Sequence, residues 1–316
     1  KLRYHFATQG WIEFVADFGH AKHFFPDADV FPSVVVVRKP EEGISPETSD
    51  VCVIPRDDVP QKGLDAAVAA TTYKLPRAHF SKEGWVLEPP DIVALMDKVK
   101  RRGISLKDYV GVAPLNGIKT GLNEAFLIDA LARDRLVQED VSASDVIKPF
   151  VRGQDISRWV TPQSDLYMIV LKSSADHSWP WANASSEVEA EAQFAQMYPS
   201  VHRHMKRFES FADIKTGERK GLRYREDQGR WWWELRSCAY YGAFETPRVI
   251  YQAIQYYARY SLEEGPLYGN NKTYLIPSED RWLLSALNAP ISWFVAWRHF
   301  LHMKDEALSN DQAKIV

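Results

Sequence analysis

Four consecutive valines, Val34 to Val37, set between Ser33 and Arg38, constrain this chain more than any other stretch of it. β-Branched side chains are stiff at their first torsion and favour extended backbone, so the run predicts a strand. A run without polar alternation is the pattern of a strand buried on both faces, as in a sheet covered by helices. The residues before it fit that reading. Ile12 to Asp17 alternates in character and breaks at Gly19, behind a stretch from Lys1 that reads as a helix feeding a strand.

Further along, the pattern changes. From Pro40 to Asp50 the chain turns to Glu, Pro, Ser and Thr, the composition of a solvated loop or linker. A short strand is expected around Val51 to Ile54. Asp91 to Arg101 reads as an amphipathic helix, because Ile92, Leu95, Met96 and Val99 fall three and four apart behind a Pro-Pro-Asp start. A new unit is expected near Tyr109, where Gly111, Gly117 and Gly121 punctuate short strands and Phe126 to Ile128 is the clearest of them. Val146 to Trp159 reads as a compact polar and basic turn, and Tyr167 to Leu171 as a buried strand. Ser185 to Phe208 has a helical pattern broken near Pro199. Arg248 to Ile254 and Thr273 to Ile276 read as strands, and Glu279 to His302 as an apolar helix interrupted at Pro290. The fold class expected is α+β. An α/β remnant (1–40) precedes a connecting region (41–108), and an α+β domain follows (109–316).

Whole-chain quantities exclude several classes. No apolar run approaches the roughly 20 residues of a membrane span, and no basic start leads into an apolar signal core. Cys52 and Cys238 are far apart and have no CxxC spacing, so neither a zinc site nor a disulfide framework is indicated, and a reducing, cytoplasmic setting follows. The formal net charge of −3 does not decide about nucleic acid, since a phosphate-gripping domain needs a local basic face and not a basic total. The chain opens on Lys1 and not Met, and stops at Val316 in mid-pattern. Both ends read as cut, so a piece of a longer protein is expected.

Several stretches offer chemistry. Gly117-Ile118-Lys119-Thr120-Gly121-Leu122-Asn123 combines two glycines, which permit turns and close backbone approach, with a cation, a hydroxyl and an amide. Asn pairs with adenine edges, while Lys and Thr suit phosphates. Lys148, Arg152 and Arg158 cluster around another glycine turn, although Asp155 is placed to neutralise Arg152. From Arg203 to Arg236 there are ten Lys and Arg against six Asp and Glu, a local excess of four, interleaved with Tyr224 and Trp231-Trp232-Trp233. A basic stretch with aromatics suits a DNA groove or a splayed base. The same tryptophans also read as a strand whose outer two face the core. Arg236, in an apolar context, can contact DNA or enter a buried ion pair. His20 and His23 beside Asp17 would serve a different enzyme altogether, but they lack a convincing metal-ligand pattern.

Two ordered sets of motifs resemble a known family. Ile12 to Gly19, then Phe24-Phe25-Pro26-Asp27-Ala28, then Val34 to Lys39, resemble the late catalytic-domain strands of TaqI-like, γ-class DNA adenine-N6 methyltransferases, including the fused restriction-modification enzymes. Gly117 to Phe126, Ile147 to Ile156, Trp233 to Cys238, Pro247 to Gln252 and Thr273 to Pro277 resemble, in that order, the specificity domain of the same family. The resemblance implies that residues 1–40 end a Rossmann-like methyltransferase domain and that 109–316 form the target-recognition domain. It implies methyl transfer from S-adenosylmethionine to adenine in double-stranded DNA, within a restriction-modification or phage-defence system. Phe25 matches the aromatic that packs on a flipped adenine; core packing is the alternative for both Phe24 and Phe25. The DNA-facing candidates are Lys119, Thr120, Asn123, Lys148, Arg152 and Arg236, with no metal expected. The family's glycine-rich donor turn and its Asn-Pro-Pro-Tyr or Asp-Pro-Pro-Tyr centre are missing, so S-adenosylmethionine is expected to be held by another part of the parent enzyme. A protein-interaction module of a defence complex, partnered by its other subunits, is the alternative function.

Overall fold

The helix expected ahead of the first strand is α1 (Leu2–Gln9), and it runs into β1 (Trp11–Asp17). The computed structural model describes residues 2–19, 24–28, 30–44, 46–54, 63–82, 84–161, 164–302 and 308–309. Strand β1 is the core of a four-stranded sheet ordered β2-β1-β3-β4, in which β2 is Ser33–Arg38, β3 is Thr48–Val53 and β4 is Thr72–Pro76. Strand β1 pairs antiparallel with β2 and parallel with β3, and β4 returns antiparallel on β3. Ile12, Val15, Ala16, Val51, Cys52 and Leu75 are buried between these strands and their cover.

Two expectations need correction here. Val34 to Val37 do form a strand, but it is the edge of the sheet, with Val34 and Val36 exposed. β-Branching fixes the extended backbone and says nothing about what covers it. The stretch 41–108, expected as a connecting region, instead supplies half the sheet. Its strand β3 is held by Ser49 Oγ donating to Ile12 O, and its helix α2 (Leu64–Thr71) buries Ala67 in the same core. Helix α3 (Pro90–Arg102) follows at the Pro-Pro pair, as its spacing predicts, although only Met96 is fully buried.

The chain divides into two compact units, one running to Ser105 with a return segment from Val295, the other Leu106–Phe294. The boundary falls just before Leu106, which enters the second unit's core beside Val249, Tyr251 and Ile276. That unit begins with α4 (Leu106–Val110), β5 (Leu115–Asn116), α5 (Asn123–Phe126), β6 (Leu127–Asp129) and α6 (Ala130–Glu139). Next come β7 (Ile147–Val151), β8 (Leu166–Ile169), α7 (Glu187–Met197) and α8 (Pro199–Lys206). Residues 147–151, expected within a polar turn, are thus a strand with Ile147, Phe150 and Val151 buried. The α7/α8 break sits at Pro199 because proline has no N–H to continue a helix but suits the first turn of one.

A small hairpin, β9 (Phe211–Ala212) and β10 (Arg219–Lys220), leads on to β11 (Arg248–Gln252), the two-residue β12 (Ile254–Gln255), β13 (Tyr260–Glu263), β14 (Tyr268–Gly269) and β15 (Thr273–Ile276). Helices α9 (Arg281–Asn288) and α10 (Pro290–His299) close the run, parted at Pro290. Two four-stranded sheets result, β13-β11-β15-β5 and β14-β7-β8-β6. Aromatic stacking fills the larger core: Trp179 on Trp181, Phe194 on Trp233, and Trp231 on Trp233. Trp232 and Trp233 are both buried in a turn and not a strand, so the tryptophan run belongs to the core.

The two sheets meet at the three residues between β14 and β15. Gly117 N donates to Thr273 O (2.8 Å) and Ile118 N to Gly269 O (2.7 Å), which tucks the Gly117 backbone against the turn. A β-carbon at Gly117 would lie 2.0 Å from Asn270 O, and one at Gly153 would lie 2.7 Å from Lys272 O. Only glycine admits such approaches. Gly117→Ala is expected to destabilise the protein by about 2 kcal/mol, an overpacking cost seen as a Tm several degrees lower. Gly242→Ala, where a β-carbon meets nothing within 4 Å, is the control. Equal melting of the two variants would refute the seam as described.

Candidate nucleic-acid interface

Arg225 is the side chain on which this surface is built. Buried against the face of Phe126, it donates from Nη1 to Thr120 O (2.6 Å) and Asp227 O (2.7 Å). From Nη2 it donates to Trp232 O (3.1 Å) and to Glu234 O. Burial draws its pKa down to about 10, the expected direction for a desolvated cation. One planar group thus ties the Thr120 loop to both ends of the 225–236 loop. Glu234 does the converse with its buried carboxylate. It accepts from Ser174 N (3.0 Å) and Oγ, Trp181 Nε1 (2.9 Å), Arg230 N (3.0 Å) and Trp231 N (3.3 Å).

On this scaffold two cations share one carboxylate. Lys119 Nζ lies 2.9 Å from Asp227 Oδ2, and Arg236 Nη1 lies 3.4 Å from Asp227 Oδ1. Both cations are about half exposed while Asp227 is largely covered, at 48%, 53% and 12%. They flank a concavity of about 140 Å³ lined by Gly117 to Lys119 and Arg236 to Tyr241. Its far wall is fixed by Asp176, which accepts from Ser237 Oγ (2.7 Å) and Cys238 N (2.6 Å). Burial pushes the Cys238 thiol pKa up, so that wall carries no thiolate at neutral pH.

The expected site residues separate into groups. Lys119 and Arg236 come together. Thr120 is buried and donates from its hydroxyl to Asn123 Oδ1 (2.7 Å), so it shapes the loop, while Asn123 is exposed at the start of α5. Arg236 is paired but not buried. Lys148 is half-buried on β7, paired in register with Met168. Arg152 is exposed and held by Asp155 through two contacts, Nε to Oδ2 at 2.6 Å and Nη2 to Oδ1 at 3.2 Å. In the other unit Phe24 packs edge-on against Phe18, whereas Phe25 is 49% exposed. His20 and His23 lie outside the described residues.

The basic stretch from Arg203 to Arg236 is not a bare cationic stripe. Arg203 pairs with Glu139, Lys206 with Glu191 and Glu209, Lys220 with Asp213, and Arg223 with Glu187 and Glu209. Arg225 points inward. Sequence reasoning missed Arg225, Asp227 and Glu234. The signal available for them was the charge alternation inside an aromatic-rich stretch, which marks buried pairing as readily as a solvated face. Among the described residues no group of three or more His, Cys, Asp or Glu is placed to hold a metal ion, and no helix is long and apolar enough to cross a membrane.

No family profile matches the sequence, and no curated protein does. Among solved structures the chain is similar to the type IIL restriction-modification enzyme MmeI in complex with DNA, at 8% identity and a TM-score of 0.47, over 97% of this chain. It is also similar to the type IIG restriction endonuclease BpuSI, at 12% identity and a TM-score of 0.33, over 94% of this chain. In both cases it spans 35% of the length of the other chain. At these values neither likeness decides what this chain does.

Two outcomes follow from the geometry. Arg225→Met removes the donor to four carbonyls, of which Glu234 O alone keeps another, Gly229 N (3.2 Å), and should cost about 3 kcal/mol, measured from urea midpoints. Arg225→Lys should recover only part, because an ammonium lacks the planar fork of donors; full recovery would refute the four-way role. His204 is buried, with Nε2 3.0 Å from Ala125 O and Nδ1 unpartnered, and burial lowers its pKa from 6.5. The unfolded chain then binds the proton more readily, so stability should fall as pH drops through about 6.5. The His204→Gln variant should show a flatter profile in the same pH series. An unchanged slope would assign the effect elsewhere.

Proposed function

We propose that this chain is the DNA-recognition part of a site-specific adenine-N6 DNA methyltransferase acting in a restriction-modification or phage-defence system. One observation carries the reading. Two motif segments that resemble the specificity domain, Gly117–Asn123 and Trp233–Cys238, lie more than 100 residues apart in sequence and converge on one concavity flanked by Lys119 and Arg236. Two half-exposed cations share the largely covered Asp227 on one side of the concavity, in a geometry held by Arg225, and Asp176 lies at the far wall. Such cations suit phosphate oxygens, to which charge-assisted hydrogen bonds are strongest. In this reading Lys148 and Arg152 take further phosphates, Asn123 faces the duplex, and Phe25 offers a face to an extruded adenine.

S-adenosylmethionine would be the methyl donor of the parent enzyme. The family's glycine-rich donor turn does not occur in this sequence. The chain's one Pro-Pro pair opens helix α3, with Pro89 as the flanking residue and Pro90 in the first turn, so it forms no Asn-Pro-Pro-Tyr centre. In this reading methyl transfer is carried out by another part of the parent enzyme.

The test is binding of the full chain to random-sequence duplex DNA across a salt series. Affinity should fall steeply with salt, and Lys119→Ala/Arg236→Ala should make the log-log slope shallower by about 1 to 2, each lost phosphate contact accounting for about 0.9. Lys148→Ala/Arg152→Ala should act the same way. Absence of binding at low salt would sink the reading and favour the protein-interaction module.

A further inference from the structure

The turn between β14 and β15 is held more firmly than a surface turn needs to be. Asn270 O accepts from Thr273 N (2.8 Å), and Asn270 Oδ1 accepts from Lys272 N (3.0 Å), closing the turn on itself. Lys272 O accepts from Ala253 N (2.9 Å). Gly117 abuts the turn on one side at Asn270 and Gly153 on the other at Lys272, each so close that a β-carbon would collide with a carbonyl oxygen. The strands it joins belong to two different sheets, so its ends are fixed by both ladders. At the apex of this clamped backbone Asn271 is exposed, and Lys272 beside it is exposed as well.

The two segments that abut the turn also carry cations. Lys119 is two residues beyond Gly117. Arg152 directly precedes Gly153, and Arg259 donates to Gln252 Oε1 (2.5 Å), whose side chain lies 3.1 Å from the position of a Gly153 β-carbon. An amide exposed on a rigid apex, with a lysine next to it and cations in the two abutting segments, suits the reading of a base edge. Phosphate contacts fix the register, and a bidentate amide tells one base from another. Rigid support matters because a reading side chain must be held to a fraction of an ångström.

We propose that the Asn270–Lys272 turn is a base-reading element, with Asn271 taking an adenine edge in duplex DNA and Lys272 an adjacent phosphate. This rests on the DNA-recognition reading above and adds to it the residue that specifies a base. The experiment is selection from a random duplex library by the full chain, with sequencing of the bound fraction, for the unaltered protein, Asn271→Ala and Lys272→Ala. Thermal melting of each variant checks that the exposed substitutions leave the fold intact.

The unaltered protein should enrich an adenine at one position. Asn271→Ala should erase that enrichment, a loss of about 5- to 100-fold in discrimination, while the salt slope stays the same. Lys272→Ala should weaken binding to all sequences alike and lower the slope by about 0.9, with the base preference kept. Retention of the adenine preference in Asn271→Ala would overturn the proposal, as would binding with no base preference, and either result leaves DNA recognition standing. Failure of the unaltered protein to bind at all would remove both.

Discussion

A single buried guanidinium holds the second unit's candidate surface in shape. Arg225 gives its donors to carbonyls from the Thr120 loop and from both ends of the 225–236 loop. Desolvating a cation is costly, and the cost is offset here by the two Nη groups, which between them reach four carbonyl oxygens, while Nε has no partner. The planar fork of arginine can do this, and the compact ammonium of lysine cannot. Glu234 completes the arrangement in the opposite sense. Its carbonyl accepts from Arg225 while its carboxylate gathers amide, hydroxyl and indole donors from the segments around it. A buried charge of each sign fixes the same loop, and the positions of Lys119, Asp227 and Arg236 follow from that.

The same device recurs where the strand ladders run out. Arg248 is fully buried at the start of β11 and donates to Thr246 O (2.7 Å), Gly265 O (2.8 Å) and Leu267 O (2.7 Å). These carbonyls lie in connecting segments, where no neighbouring strand is available to pair with them. A polar group left unpaired inside would cost about 1 to 3 kcal/mol, so an arginine that satisfies three of them stabilises a crossing that ordinary β pairing leaves open. Burial lowers its pKa to about 10, the same direction as for Arg225. At the sheet junction the solution is different. There Gly117 and Gly153 let backbones approach closely, and the backbone hydrogen bonds close without help from a side chain.

What could be read from the sequence follows from these causes. The breaks at Pro199 and Pro290 were legible because proline acts locally through its missing N–H. The strand character of Val34 to Val37 was legible for the same kind of reason, since β-branching acts within the residue. Its exposed edge was not, because cover is a property of distant chain. The basic excess between Arg203 and Arg236 misled in an instructive way. Several neutralising partners, Glu139, Glu187 and Glu191, lie outside that window and reach it only through the fold. Within the site, the glycines at 117 and 121 announced close approach, and the structure uses Gly117 in that way and places Gly121 at φ +70°. Arg225 and Arg236 carry the same letter and have opposite fates, and no pattern local to either distinguishes them.

Extensive pairing of surface cations has a consequence for recognition. Non-specific affinity for DNA grows with the number of phosphates that lysines and arginines neutralise. In a chain of net charge −3, Arg203, Lys206, Lys220 and Arg223 are matched to carboxylates and so have less to offer at random. Among the candidate contacts three cations are placed in advance, Lys119 and Arg236 by Asp227 and Arg152 by Asp155. A carboxylate beside a cation lowers its attraction for any phosphate, but it also holds the side chain in one geometry before the partner arrives. The entropy of ordering that side chain is then spent during folding and not on binding. On the DNA-recognition reading, the chain gives up general attraction for a few well-positioned contacts. The ratio of specific to non-specific affinity, which decides occupancy among many competing sites, rises as a result.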